Sequence, residues 1–421
     1  MGKQWLGFLM ALGIIGAQAT VALAEDRKSL EELLFDKGVI TKDEAATIQG
    51  RKLTPWVDRL TVSGDIRLRH ESFYRNTADD RHRERFRLRI APELKVGDLT
   101  VGIRLASGTG EQVSTNKSFD NLSSQTALYI DRAFLKWHSP ELRWLTLTGG
   151  RMPNPFFTVY SSDAVWDDDF NPEGVAENFV FKLGGTELFL NLAQIVLDED
   201  SGGKPSTDQW FFGQQVGVRV NPTSTIQTAL AGAYYNTVNA QNGGFSQGVC
   251  QDGNSRLPIP AAPAANPGTL CPGSTTTNQN LLNDYNVLDI TALVAVKLGS
   301  LPVSVMGDYI TNTADTKNAS GADTEDSGYQ AGIILGKASD SQSWELAYFY
   351  KLVGTDATLA DVADSDFGNG GTDRKGHIMW AAYNPSKALQ VKVKYFKTER
   401  EDDLAAANDI NRLQADLSVK F

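Results

Sequence analysis

The chain has 421 residues, of which 41% are hydrophobic and 22% charged, and its formal net charge is −11 at pH 7. This acidity argues against a nucleic-acid partner, because affinity for DNA or RNA comes mainly from cationic side chains on phosphates. After the first 24 residues, no stretch reaches the ~18 consecutive apolar residues typical of a membrane-spanning helix.

The first residues have the pattern of a cleaved export signal. Lys3 provides a positive charge, residues 5–16 form an apolar run, and Ala22–Ala24 is a small-x-small cleavage site. The apolar run is short for a membrane anchor, which needs about 20 residues. We therefore predict a signal peptide over residues 1–24. Its removal takes away Lys3 and changes the net charge from −11 to −12.

Residues 25–56 differ in character from the rest of the chain. Leucines recur at helical spacing from Leu30 to Leu34, and Thr41 with Glu44 forms a capping box that opens a second short helix. Because this segment precedes the first strand, we predict a periplasmic helical segment. Self-association, contact with the cell wall and a plain spacer role all stay open for it.

From residue 57 to residue 421 the chain reads as a series of strands. In the last strand every second residue from Leu413 to Phe421 is apolar, and the residues between them are polar. This period of two puts the apolar residues on one face of a strand. Sixteen strands are predicted, an even number that is typical of bacterial outer-membrane barrels. They cover residues 60–74, 84–97, 98–106, 127–138, 142–151, 176–184, 185–197, 209–221, 223–236, 287–298, 301–310, 327–338, 343–351, 374–384, 387–397 and 409–421.

Short turns rich in Gly, Pro, Asn, Asp and Ser alternate strictly with longer polar loops. The longer loops include residues 107–126, 152–175, 238–283, 311–326 and 354–373. This alternation indicates an up-and-down meander with one plain rim and one elaborated rim. We predict an all-β fold, a 16-stranded antiparallel transmembrane β-barrel in the bacterial outer membrane. Its apolar face contacts outer-membrane lipid and its interior is hydrated.

Both cysteines, Cys250 and Cys271, fall in the polar, Pro- and Gly-rich loop 238–283. In an oxidising compartment, two cysteines in one loop predict a disulfide that closes the loop. Two free thiols are the alternative.

Six arginines lie on the polar faces of three consecutive predicted strands. In the first strand, for example, Arg67 and Arg69 alternate with Ile66 and Leu68. A charge that faces lipid at mid-depth costs about 2–4 kcal/mol, so the arginines are expected to point inward. The predicted basic channel wall consists of Arg67, Arg69, Arg85, Arg87, Arg89 and Arg104.

The sequence offers little support for catalysis or for a metal site. Its four histidines have no metal-binding spacing, and no Gly-x-Ser-x-Gly elbow is present. The histidines are His70, His82, His138 and His377. We place His70 and His82 in the polar interior and in a loop. No enzyme activity, cofactor or metal is expected.

One acidic segment resembles the start of a calcium-binding loop. Asp167-x-Asp169-x-Asn171 matches the first half of that pattern, but Pro172 and Asn178 stand where an EF-hand has glycine and glutamate. An EF-hand is therefore excluded, and a looser calcium site stays an alternative.

Three segments resemble the "putative porin" family of Gram-negative bacteria: Asp131–Trp137, Gly149–Pro155 and Val165–Val175. The N-terminal helical segment and the terminal Phe421 resemble it too. The resemblance implies an outer-membrane channel for passive diffusion of small hydrophilic solutes and ions. By analogy with porins of this strand number it implies a homotrimer. The ending also resembles the closing strand of other outer-membrane barrels, whose last phenylalanine is recognised by the barrel-insertion machinery.

In sixteen-stranded porins the loop between the fifth and sixth strands folds into the barrel. Here that loop is residues 152–175, and the resemblance implies that its acidic side chains face the basic wall across a constriction. Opposed charges of this kind set a transverse field that orients dipolar solutes. The alternative is a loop that stays at the rim. The predicted acidic side consists of Asp163, Asp167, Asp168, Asp169 and Glu173.

Three other functions remain as alternatives. An anion- or phosphate-selective channel is favoured by the arginines, and phosphate-selective porins share a similar Gly-Arg-x-Pro feature, here Gly150–Pro153. The second is a barrel enzyme. The third is a structural or adhesive surface protein that uses its long loops and has a closed lumen.

Overall fold

A computed structural model describes residues 58–421 except 77, 161, 200–207, 242–251, 259–276 and 402–408, together with residues 37 and 41. The predicted signal peptide, nearly all of the predicted helical segment, and Cys250 and Cys271 of the predicted disulfide lie outside these residues. Within the described part, no helix is both long and apolar enough to cross a lipid bilayer.

In this described part, sixteen antiparallel strands close into one barrel. Each strand pairs with the next, and β1 also pairs with the last strand, from Asp65 opposite Lys420 to Arg75 opposite Ile410. This confirms the predicted fold class. The barrel strands are β1 Arg59–Arg75, β2 Arg81–Val96, β3 Leu99–Ala106, β5 Tyr129–Trp137, β6 Leu145–Arg151, β7 Glu173–Leu183, β8 Thr186–Asp198, β9 Gln209–Thr223, β10 Ile226–Val238, β13 Asn286–Leu298, β14 Leu301–Asn312, β15 Ser327–Gly336, β16 Ser343–Val353, β17 Arg374–Asn384, β18 Leu389–Glu399 and β19 Ile410–Lys420.

Three shorter strands lie in the loops. β4, Lys117–Ser118, pairs with β2 beyond the end of the short strand β3. β11, Arg256–Pro258, pairs with β12, Thr277–Leu281, as a separate two-stranded sheet. The ends of all sixteen predicted strands agree with the structure to within about three residues, because period-two alternation is a local property of the sequence.

The outer face of the barrel is apolar and the inner face is largely polar. Exposed outward side chains include Leu68, Leu135 and Ile290 on well-separated strands. β19 shows the polar inner face clearly, since its alternate residues Arg412 and Gln414 are buried inside the barrel. This distribution suits a wall between lipid and water.

The last residue closes the barrel by pairing with β1. The Gly64 amide donates to the Phe421 carbonyl at 2.9 Å, and the Phe421 amide donates to the Gly64 carbonyl at 3.1 Å. A Cβ at position 64 would lie 2.6 Å from the Phe421 ring, so a glycine is needed for this close approach.

Candidate functional site

A polar cavity of about 240 Å³ lies inside the barrel. Strands β1, β2, β18 and β19 form one side of it, and loops 152–172 and 354–373 contribute to the other. Its charged lining divides evenly between seven basic and seven acidic side chains. The basic side chains are Arg67, Arg69, Arg87, Arg89, Lys392, Lys394 and Lys420. The acidic ones are Asp65, Asp167, Asp168, Asp169, Asp364, Asp366 and Asp416.

Strand register produces the charged wall. Arg67 lies opposite Arg87 across the β1–β2 pairing. In the next row Arg69 lies opposite Asp416 of β19, and Asp416 lies opposite Lys392 of β18. Directly opposed residues share a face of the sheet, so these side chains all point into the lumen.

The structure brings four of the six predicted arginines to this cavity and separates the other two from it. Arg85 donates from Nη2 to the carbonyl of Asn116 at 3.2 Å. Arg104 pairs with Asp131 and donates from Nη2 to Asn171 Oδ1 at 3.3 Å. Arg85 and Arg104 are buried against neighbouring segments of the protein rather than turned to the cavity.

The wall carries acids of its own, which are not among the predicted site residues. Arg69 makes a two-pronged contact with Asp416, at 2.7 Å from Nε and 2.9 Å from Nη2. Arg87 and Arg89 share Asp65, at 2.8 Å and 2.7 Å. Asp65 and Asp416 are visible on the polar faces in the sequence, but their ion pairs depend on strand register.

Loop 152–172 crosses the lumen. At one end Asp169 Oδ1 lies 3.2 Å from Arg89 Nη1 on β2. At the other, the Ala164 amide donates to Asp308 Oδ2 on β14 at 2.8 Å, and Lys351 Nζ on β16 donates to the Asp163 carbonyl at 2.6 Å. Strands β2 and β14 lie on opposite sides of the barrel, so a short segment that contacts both must pass between them.

Local sequence explains why the loop takes this path. Asp163 Oδ1 accepts from the Val165 and Trp166 amides at 2.9 Å and 2.7 Å, which fixes a turn. The turn places the Trp166 ring against the rings of Phe211 and Tyr235 on the inner wall, with centroids 5.1 Å and 5.4 Å away. Burial of this aromatic cluster holds the loop in the lumen.

The five predicted acids do not stay together. Asp167, Asp168 and Asp169 line the cavity. The Asp163 carboxylate is buried and engaged in the turn. Glu173 begins β7 and pairs with Arg151 at 2.6 Å, with 60% of its side chain exposed. The sequence pattern did not separate these roles, because all five acids occur within eleven residues.

A second loop, residues 354–373, also enters the barrel. Its Asp366 contacts Arg69 at 3.2 Å and Arg412 at 2.6 Å, and its Asp364 contacts Lys351 at 3.3 Å. The sequence pattern predicts this segment only as a long polar loop. A signal was present, since Asp364 and Asp366 precede Phe367 much as the acids of the first loop precede Phe170.

One carboxylate ties the second loop to other loops. Asp356 is fully buried and accepts from the Ser255 amide and hydroxyl at 3.0 Å and 2.7 Å. It also accepts from Asn283 Nδ2 at 2.9 Å, Tyr285 OH at 2.8 Å and Thr324 Oγ1 at 2.8 Å. A charge held by five donors anchors this end of the barrel interior.

Comparison with known proteins now identifies the family. A family model described as "Putative porin" matches residues 73–421. The chain belongs to this porin family. Among curated proteins, none matches it. The porin is similar in fold to Pseudomonas putida OprB, with 10% identity, 86% of this chain and 94% of that chain covered, and a TM-score of 0.52. It is also similar to Salmonella typhi OmpF, with 10% identity, 86% and 97% covered, and a TM-score of 0.50.

Family and fold together indicate an outer-membrane porin with a channel architecture. They point to the bacterial outer membrane as the location of the chain. At such low sequence identity, similarity to these solved structures shows only the fold. The solute and the ion selectivity therefore depend on the residues of this porin.

The acids of loop 152–172, which lies outside the strands, differ in how readily they ionise. Burial raises the pKa of Asp163 to about 6. Burial, together with Asp168 and Asp169, raises the pKa of Asp167 well above its usual range. Burial acts on Asp169 too, but Arg87 and Arg89 outweigh it and hold its pKa below the usual value. Asp169 therefore carries its charge most firmly.

Of the candidate calcium ligands, Asp167 and Asp169 lie close together with Asp168 between them, while Asn171 Oδ1 accepts from Arg132 Nε at 2.6 Å. One carboxylate oxygen from each of Asp167, Asp168 and Asp169 lies within 4.8 Å of the others. Asp167 accepts from the Ser365 and Asp169 amides, both at 2.7 Å. These N–H groups occupy oxygen lone pairs that a cation would need, and we assign no ion to the cluster.

His70 and His82 lie on the outer face of the barrel, so their predicted placement in the interior and in a loop is wrong. His70 Nδ1 lies 2.6 Å from Glu84 Oε1, and Ser72 Oγ lies 3.0 Å from His70 Nε2 and 2.8 Å from His82 Nδ1. His70 has the same strand parity as Leu68, which faces outward. Ser72 is fully buried beneath the imidazoles, so it is not an accessible nucleophile.

Proposed function

We propose that this porin forms a water-filled channel that passes small hydrophilic solutes and ions by passive diffusion, without turnover or a cofactor. The polar cavity inside an apolar-faced barrel carries this proposal. Seven basic and seven acidic side chains line the cavity. So many charged groups around one space are typical of a water-filled pathway for solutes.

In this proposal the arginines of β1 and β2 form the basic side of a constriction, and Asp167, Asp168 and Asp169 form the acidic side. Loops 152–172 and 354–373 set the width between them. The cavity of about 240 Å³ corresponds to the volume of about eight water molecules. Because both loops narrow the lumen, small solutes are expected to pass more readily than large ones.

Liposome swelling tests the proposal. Purified porin in proteoliposomes is expected to admit small sugars and amides at rates that fall as solute size rises. Protein-free liposomes of the same lipid are the control. Absence of swelling with every solute, together with absence of conductance in planar bilayers, would overturn the channel proposal and favour a structural surface protein.

An anion-selective channel is the second candidate. It is supported by Lys392 and Lys394, which have no carboxylate within 4.0 Å among the described residues. The equal number of acids in the cavity opposes it. Phosphate added at rising concentration distinguishes the two, since only an anion-binding channel shows saturable block of chloride current.

Replacing Arg87 and Arg89 together by glutamine is expected to shift the channel toward cations. The change removes two positive charges and leaves Asp65 and Asp169 without their guanidinium partners. The shift should be larger at low salt, where screening is weak. Reversal potentials in planar bilayers under a salt gradient measure it. Arg85→Gln, outside the cavity lining, is the matched control and should leave the ratio nearly unchanged; equal shifts in both variants would contradict the assignment.

We extend the proposal to the ends of the chain and to its assembly. Asp58 lies at the rim of short turns, where its amide donates to the Lys95 carbonyl at 3.0 Å, which supports a periplasmic position for residues 25–56. Removal of residues 1–24, a disulfide between Cys250 and Cys271, recognition of Phe421 by the insertion machinery and a homotrimer are kept as proposals. Mass spectrometry and cross-linking of the native outer-membrane protein test them.

A further inference from the structure

Most of the charges in the cavity neutralise one another within the protein. Of the seven acids, five make ion pairs within 4.0 Å with arginine or lysine. These five are Asp65, Asp169, Asp364, Asp366 and Asp416. Asp167 is buried, and backbone amides occupy both of its oxygens. None of these six carboxylates is available to a solute without breaking a protein contact.

Asp168 is the exception on the acidic side. It lines the cavity and its side chain is exposed, whereas Asp167 and Asp169 on either side are buried. Among the described residues, no lysine or arginine lies within 4.0 Å of its carboxylate. Its backbone amide is fixed by Ser162 Oγ at 3.2 Å, so the side chain projects from a held position.

On the basic side Lys392, Lys394 and Lys420 have no carboxylate within 4.0 Å among the residues that the structure describes. We take Lys392 and Lys394, neighbours on the inner face of β18, as the counterparts of Asp168. Each lies instead over an aromatic ring, Lys392 at 4.6 Å from the Trp380 centroid and Lys394 at 4.5 Å from the Phe396 centroid. A cation–π contact positions an ammonium without neutralising its charge. Neither ammonium is therefore paired with a carboxylate of the described protein, and both line the cavity.

We propose that the channel favours small zwitterions, solutes that carry an ammonium and a carboxylate a few bonds apart. The carboxylate is received by Lys392 and Lys394 on the wall, and the ammonium by Asp168 on the loop. This inference rests on the proposed channel function and names the class of solute that the constriction prefers.

The arrangement discriminates by charge pattern rather than by net charge. An anion is attracted by the lysines but repelled by Asp168. A cation is attracted by Asp168 but repelled by the lysines. A neutral polar solute makes no charge–charge attraction with the lysines or with Asp168. Only a solute that carries both charges is stabilised on both sides of the cavity.

Glycine and its uncharged isomer glycolamide provide a matched pair for the test, because they have the same atoms and nearly the same size. In isosmotic swelling of proteoliposomes, glycine is expected to enter at least about threefold faster than glycolamide, as two water-exposed ion pairs predict. Asp168→Asn and the double variant Lys392→Gln with Lys394→Gln should each bring the ratio toward one. Lys95→Gln, at the short-turn rim, should leave it unchanged.

The outcomes separate the two proposals. If neither isomer enters, the channel function itself fails. If both enter the wild-type porin at equal rates, the channel stands and the zwitterion inference is overturned, and this result needs no variant to fold. Faster entry of acetate than of glycine, lost in the double lysine variant but kept in Asp168→Asn, would replace the inference by a simple anion site.

Discussion

Deleting residues 160–172 is expected to raise the single-channel conductance of this porin several-fold. These residues link β2 to β14 across the lumen through Asp169, Ala164 and their partners. Without them a loop of eight residues, 152–159, still connects Arg151 to Glu173, which lie opposite each other in the sheet. The barrel can therefore close while the obstruction is removed. Planar-bilayer recordings measure the change.

The control deletion removes residues 318–322, an exposed turn between the bridged residues Lys317 and Asp323. It shortens a loop of similar polarity without touching the cavity, and conductance should stay at the wild-type value. Unchanged conductance after the 160–172 deletion would show that this loop does not limit ion flow.

A point variant separates the position of the loop from its charge. Trp166→Ala keeps Asp167, Asp168 and Asp169 but removes the ring that packs against Phe211 and Tyr235. Loss of a buried aromatic side chain of this kind costs about 3–5 kcal/mol. The loop should loosen, and open-channel current noise should rise. Trp344→Ala, with a ring exposed on the outer face, is the matched control.

Glu71→Gln is expected to lower the free energy of unfolding by about 3–5 kcal/mol. Glu71 is fully buried on β1. It accepts from Arg412 Nε at 2.9 Å and Gln414 Nε2 at 3.0 Å, and it also pairs with Arg83. Glutamine keeps the shape but removes the charge, which leaves buried guanidinium groups uncompensated. Urea titration of the porin folded in lipid vesicles measures the loss.

Glu173→Gln is the matched control for this effect. Its pair with Arg151 is exposed to solvent, so the same change there should cost at most about 1 kcal/mol. It should also leave ion selectivity unchanged, because Glu173 does not line the cavity. Equal destabilisation by the two substitutions would contradict the view that burial gives the Glu71 network its strength.

The fold of this protein was readable from the sequence because its signals are local. Alternation of apolar and polar residues assigns faces within a single strand, as from Leu413 to Phe421. The same parity turns Arg67 and Arg87 to the inner face, and both line the cavity. The prediction for His70 was wrong because it followed the polarity of the side chain, whereas strand parity gives the outward position that the structure shows. For a β-strand, parity is the stronger criterion because the backbone enforces it.

Only the tertiary structure decided which charges are free. Arg69 pairs with Asp416, 347 residues away, and no spacing in the sequence reports such a contact. The burial of loop 354–373 and the separation of Asp168 from its acidic neighbours likewise depend on closure of the barrel. Alternation along a strand sets the side of the wall on which a residue lies. Closure and long-range pairing set its partner, and the remaining unpaired charges define what the channel can recognise.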